Sequence, residues 1–320
     1  MYIAIGDSLR QSARGEPFVP HKLIRKAVIP AAGFGTRFLP ATKAAPKEMM
    51  PIVDKPVIQY VVEEAVASGI TDIIIITGSN KRPIEDHFDY NFELEHTLLE
   101  QGRMEQFEEI RRISDMARFI YVRQKEPLGN GHAVLCAREV IGNEPFAVLW
   151  GDDLVDSKVP CLKQLLKIYE RYRNPVMAAI RVPKDRISDY GVIDGTPIED
   201  RVWQVKSLVE KPTAETAPSD VAIVKEYILT PDIFDILADL KPGQKGEIWL
   251  TDAINILAKQ RNVYAYEFEG ERYDTGDKLG FLKATIHYAL KHESLNNDFR
   301  AYLSSLDLNG GRETQAAKQG

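Results

Sequence analysis

Four consecutive isoleucines in Asp72-Ile-Ile-Ile-Ile-Thr77 constrain the fold more than any other stretch of this 320-residue chain. A strand with no polar alternation must face apolar surroundings on both sides, which requires helices above and below its sheet. The neighbouring segments supply them. Residues 57–68 show helical spacing, with Val57, Tyr60, Val61, Ala65 and Val66 able to share a stripe, and Gly69 stops the run. Strand patterns recur at 27–29, 118–124, 146–150 and 176–182, and helical patterns at 132–141 and 162–172. The charged stretch 81–113 reads as a solvated helical face. This order predicts an α/β fold: a mixed, mostly parallel Rossmann-like sheet flanked by helices. Ligands of such sheets bind at the carboxyl ends of the strands. The turn after the first strand, Gln124 and Asp152 all lie at such ends. Beyond residue 183 the character changes. Segments 190–194, 203–210 and 221–229 are strand-like with turns between and predict an antiparallel extension. Helices at 231–238, 250–259 and 279–290 and a strand at 263–267 complete the pattern.

A formal charge of −6 argues against general nucleic-acid binding, which needs a basic surface. No apolar stretch reaches membrane-spanning length, and the N-terminus lacks the apolar run of a signal peptide. Cys136 and Cys161 are the only cysteines and form no CxxC, which fits a cytoplasmic protein.

After the first strand comes Gly33-Phe34-Gly35-Thr36-Arg37, then Lys43 and Lys47. Glycines let backbone approach a ligand, and successive N–H groups in such a turn form an anion nest. With the cations it reads as a site for a nucleoside triphosphate. It is neither a P-loop, which closes on Gly-Lys-Ser/Thr, nor a Rossmann fingerprint, whose third glycine is replaced by Phe38. A bare Gly-x-Gly also occurs as an ordinary strand-to-loop turn, so the wider string decides.

That string, KAVIPAAGFGTRFLPATKAAPKEMMP over residues 26–51 followed by VDKPVIQYVVEEAVASGI, resembles the signature of the sugar-phosphate nucleotidylyltransferases. Its form is that of the bacterial UTP–glucose-1-phosphate uridylyltransferases, and the resemblance extends over about residues 26–291. It implies a fold of the nucleotide-diphospho-sugar transferase type: a single domain over 26–291, with a nucleotide half at about 26–182 and a sugar-side half at about 183–291. Residues 1–25 are then a mobile extension, and 292–320 a helix end with a flexible tail. The implied reaction joins UTP and glucose 1-phosphate into UDP-glucose and pyrophosphate, with Mg2+ as cofactor and a homodimer or homotetramer as the assembly. Such a transfer needs in-line positioning and electrostatic stabilisation rather than a protein nucleophile.

The resemblance also assigns residues. Arg37 and Lys47 fall on the phosphates, and Ala31, Ala32, Gly33, Gly35 and Thr36 lie against the nucleotide. Segment 122–133 (VRQKEPLGNGHA) matches the nucleobase region, with Gln124 toward the uracil edge and Gly129 and Gly131 beside it. Asn130 stands where family members often carry leucine. Asp152 matches the metal ligand, and Asp274 is a second acidic position for metal or sugar. Gly191, Glu210 and Lys211 match the sugar-phosphate site, with Lys211 on the phosphate. Asp153 points away from Asp152 on an extended chain and is assigned a structural part, as is His132. Two alternatives stay open on the residues: the same chemistry with another base or sugar, and a non-catalytic regulatory paralogue.

Overall fold

The computed structural model describes residues 23–243 and 246–307. The strands are β1 (Lys26–Pro30), β2 (Pro51–Ile52), β3 (Lys55–Pro56), β4 (Asp72–Thr77), β5 (Arg118–Arg123), β6 (Phe146–Leu149) and β7 (Asp153–Asp156). They continue as β8 (Val176–Arg181), β9 (Gly191–Glu199), β10 (Val202–Glu210), β11 (Val221–Leu229), β12 (Val263–Glu267) and β13 (Glu271–Asp274). The helices are α1 (Val57–Ala67), α2 (Arg82–Phe88), α3 (Phe92–Glu100), α4 (Met104–Asp115), α5 (Asn130–Leu135) and α6 (Arg138–Ile141). After them come α7 (Cys161–Tyr172), α8 (Asp232–Asp239), α9 (Leu250–Gln260), α10 (Lys278–Lys291) and α11 (Asn296–Ser305). None is long and apolar enough to cross a membrane.

Nine strands form one sheet in the order β5-β4-β1-β6-β11-β8-β12-β10-β9. From β5 to β6 every pairing is parallel, as is β8 with β12. The antiparallel strands belong to this same sheet. β11 is inserted between β6 and β8, and β9 and β10 form the hairpin at the far edge.

The isoleucine run behaves as its composition demands. All six residues of β4 are buried. Ile73 and Ile75 join Ala27, Ile29, α1 and α7 on one face, while Ile74 and Ile76 join Val28, α5, α8 and α9 on the other. Period-two alternation thus serves two cores at once. Each isoleucine so buried contributes about 1.5–3 kcal/mol.

Three expectations change. The stretch 81–113 is three helices, broken after Phe88 and at Gly102, whose φ is +69°. Nor is it solvated throughout, because Lys81 is 4% exposed. The pattern at 132–141 is two short helices, α5 and α6. Of the helix end and tail expected over 292–320, Asn296–Ser305 form a separate helix, α11, after α10 ends at Lys291. The expected mobility of 1–25 and of the distal tail falls, but for residues 23–25 and up to 307, outside the described residues.

Candidate active site

β1 ends inside the sheet, and its successor Ala31 donates its N–H to Ile76 O at 2.9 Å. The chain then rises to the carboxyl edge of the sheet as the glycine turn. Gly35 has φ +66°, and a Cβ there would lie 3.1 Å from Lys47 Cβ. The glycine therefore allows both a left-handed turn and close seating of the lysine segment. Thr42 Oγ1 ties that loop down by donating to Gly35 O at 2.8 Å. Phe38 anchors it by an edge contact with Phe281 of α10, with ring centroids 5.7 Å apart.

Lys47 ion-pairs with Asp152, which follows β6. Burial by itself lowers the Lys47 pKa, but Asp152 and Glu48 outweigh it and the value is raised, so this ammonium stays charged at neutral pH. Behind Lys47, the buried Glu48 carboxylate meets Lys81 Nζ at 2.8 Å.

These groups border a cleft of about 390 Å3. Its lining includes Ala32, Gly33, Gly35, Thr36, Lys47, Gln124, Gly129 and Asp152, all singled out from the sequence. Gln124 is held in place. Its amide Nε2 is 3.1 Å from Gly129 O and 3.0 Å from His132 Nδ1. That fixes the amide's orientation and leaves Oε1 as an acceptor.

Other expected residues sit elsewhere. Ala31 is buried in the core and Gly131 is buried against Ile248, whose carbonyl accepts its N–H at 2.9 Å. A Cβ on Gly131 would meet that carbonyl at 2.9 Å, so close packing of backbone accounts for this glycine. Arg37 is exposed at the rim, with Nη1 3.4 Å from Gly276 O. Lys43 is also exposed.

Asp274 ends β13, which pairs with β7 in a short ribbon that the sequence patterns did not reveal. Thr275 donates to Asp152 O through N–H (2.9 Å) and Oγ1 (2.7 Å), bringing the two aspartates to one place. A Cβ on Gly276 would lie 2.5 Å from Asp152 Oδ2 and 3.0 Å from Asp274 Oδ1. Two carboxylates converging on a glycine form a hard-oxygen donor set, which suits a divalent cation that keeps waters and takes phosphate oxygens. Nucleotidyl transferases usually use such a metal. Asp153, by contrast, is turned into a bidentate ion pair with Arg272 (2.6–3.0 Å), the structural part assigned to it.

Gly191 and Glu210 face each other in the β9–β10 ladder, and a Cβ on Gly191 would lie 3.2 Å from Glu210 Oε2. Lys211 follows with φ +47°, its N–H bound to Tyr190 O at 3.0 Å. Burial pushes the Tyr227 phenol well up, and Glu210 and Asp153 push the same way. Tyr227 in turn packs edge-on against Trp150, with centroids 6.0 Å apart. Trp150 lines the cleft, so Tyr227 packs behind its wall.

Among the lining residues that went unassigned in the sequence reading are Glu48, Trp150, Glu247 and Trp249. Trp150 carried a usable signal, since it follows a buried strand at its carboxyl end. Glu247 and Trp249 carried none, because a segment over 100 residues downstream folds back onto Leu128–Gly131.

A model of the nucleotidyl transferase family matches residues 26–291. A UTP–glucose-1-phosphate uridylyltransferase of Staphylococcus epidermidis is 53% identical over 287 residues, covering 90% of this chain and all of the relative. A UDP-glucose pyrophosphorylase crystallised with UDP-glucose is 47% identical, with a TM-score of 0.77 over 84% of this chain and all of the other. A UTP-bound enzyme of the same kind from Acinetobacter baumannii is 42% identical, with a TM-score of 0.83 over 89% of this chain and all of the other. With a family model over residues 26–291 and 53% identity to a relative over 90% of its length, the chain belongs to the nucleotidyl transferase family.

Proposed function

We propose that this protein transfers the uridylyl group of UTP to α-D-glucose 1-phosphate, forming UDP-glucose and releasing pyrophosphate. The observation that carries the reading is the meeting of Lys47 and Asp152 in one cleft with the glycine turn on one side and Gln124 on the other. The cleft so offers cations and backbone N–H groups for a triphosphate and an amide for a base. The relatives named for this reaction, and the neighbours holding UTP and UDP-glucose, support it.

In the proposed reaction, a phosphate oxygen of the sugar phosphate attacks the α-phosphorus of UTP and the bond to pyrophosphate breaks. The attacking oxygen is already anionic at neutral pH, so no general base is needed. Lys47 and Arg37 offset charge that builds on the phosphoryl oxygens and the leaving group. Lys211 holds the sugar phosphate, and Glu210 and Gly191 take the sugar hydroxyls. Gln124 Oε1 accepts from the N3–H of uracil, a donor that cytosine lacks. Asp152 and Asp274 are the residues that would hold Mg2+, which supplies charge neutralisation when bound. The cytoplasm is the proposed site of action, in keeping with a chain of two cysteines that form no CxxC.

Pyrophosphate release from UTP and glucose 1-phosphate, with Mg2+ present, tests the reading. We expect turnover that prefers UTP to CTP, and a smaller preference over 5-methyl-UTP, since one methyl group is worth only about 1–3 kcal/mol. Lys47→Met should lower kcat/KM by about 10²–10³-fold, the usual effect of losing one transition-state donor. A folded wild-type protein without turnover would favour the non-catalytic paralogue instead.

A further inference from the structure

The cleft has a wall that neither the reaction nor the family match accounts for. Residues 247–250 run alongside Leu128–Gly131. Ile248 N donates to Leu128 O at 2.7 Å, Gly131 N donates back to Ile248 O at 2.9 Å, and Leu250 N donates to Asn130 Oδ1 at 2.9 Å. On an extended chain, alternate side chains share a face. Ile248 therefore enters the core, 8% exposed, while Glu247 and Trp249 both turn to the cleft. Among the described residues, neither the Glu247 carboxylate nor the Trp249 indole makes a hydrogen bond, ion pair or ring contact.

The position of Glu247 is fixed by its neighbour. A Cβ on Gly129 would lie 2.9 Å from Glu247 Cβ, and Gly129 O is the group that orients Gln124. Glu247 therefore stands at the Gln124 end of the cleft, away from the Lys47–Asp152 pair. A carboxylate repels phosphate and the carbonyl oxygens of a pyrimidine, and the one ring donor it could take, uracil N3–H, goes to Gln124 in the proposed reaction. It accepts well from hydroxyl groups, and such charge-assisted bonds are strong. An indole face beside it suits a flat or partly apolar ligand surface.

We propose that Glu247 and Trp249 form the nucleoside wall of this cleft, with the carboxylate taking the ribose 2′- and 3′-hydroxyls and the indole lying against the sugar–base unit. The inference rests on the nucleotide-transfer reading and deepens it. It makes the enzyme selective for ribonucleotides through a segment distant in sequence from the phosphate turn.

The test compares UTP with 2′,3′-dideoxy-UTP as substrates for wild type and Glu247→Ala, with Trp fluorescence titrated by UTP alone as a second readout. Wild type should prefer UTP. Glu247→Ala should lose about ten- to a hundredfold in kcat/KM for UTP, the range for a hydrogen bond to a charged group, and almost nothing for the dideoxy analogue. UTP should quench the fluorescence of wild type and of Trp203→Phe, and that quench should shrink sharply in Trp249→Phe. Equal losses on both nucleotides, or a quench unchanged in Trp249→Phe, overturn the proposal while leaving the transfer reading intact. A wild type that neither binds nor turns over UTP overturns the transfer reading itself. If Glu247→Ala does not fold, Glu247→Gln carries the same comparison: a drop confined to UTP supports the wall, and an equal drop on both substrates overturns it.

Discussion

At the scale of single residues, two glycines with positive φ separate backbone strain from crowding. Gly142 has φ +64° and nothing within 4 Å of an added Cβ. Gly129 has φ +95°, and an added Cβ would lie 2.7 Å from Ile248 O. Alanine at Gly142, with φ +64° and ψ −136°, should cost about 1–3 kcal/mol, the backbone strain alone. Alanine at Gly129 should cost clearly more, because a backbone carbonyl must move and the 247–250 segment moves with it. Urea denaturation of the two variants measures the difference, and equal losses would mean that the contact at Gly129 relaxes without strain. The sequence made part of this visible. Lys47, Asp152 and Gln124 stood out because each lies beyond a recognisable strand or turn, and the resemblance gave them their expected parts. Ala31 and Gly131 were placed at the nucleotide by resemblance, and the structure has one in the core and the other under Ile248. Neither contact has a local signature, since its partner comes from distant sequence.

Among elements, the least legible link is the one that fixes the cations. The turn Lys47–Met49 is fastened to the loop after β4 by the pair of Glu48 and Lys81, respectively 1% and 4% exposed. In sequence Lys81 opens a charged run and looks solvated. Only the tertiary fold shows that it neutralises a carboxylate 33 residues earlier. Removing one member of a buried pair leaves an uncompensated charge, at a cost of about 3–5 kcal/mol, whereas apolar replacement of both is often tolerated. Lys81→Met should therefore destabilise strongly, and the double variant Glu48→Leu, Lys81→Met should recover much of that loss. Denaturant melts of the two variants decide this, and additive destabilisation would show that the charges are not coupled. The β7–β13 ribbon was hidden for a related reason. Each strand has four residues, and its function is to join Asp152 and Asp274 through Thr275, a relation that periodicity does not encode.

For the molecule as a whole, the order of strands decides how far a nucleotide half and a sugar-side half are separable. Read along the sequence, the two divide near residue 182. In the sheet they interlock. β8, from the first half, lies between β11 and β12, and β11 lies between β6 and β8. Tyr227 is opposite Val148 on one side and Met177 on the other, and Ile228 is likewise opposite Ala147 and Val176. Pulling the halves apart would break both ladders of β11 and open both cores, since each core contains residues from β6, β8 and β11. We therefore propose that residues 26–291 act as one cooperative unit. Trp203 sits on β10 near the far edge of the sheet, while circular dichroism reports all the helices. In a variant carrying Trp150→Phe and Trp249→Phe, Trp203 fluorescence and circular dichroism should follow one urea transition with one midpoint, as cooperative unfolding requires. An earlier Trp203 transition, with helical signal retained, would mean that the β9–β10 side unfolds on its own. The sugar site would then be a module attached to the nucleotide site rather than part of the same sheet.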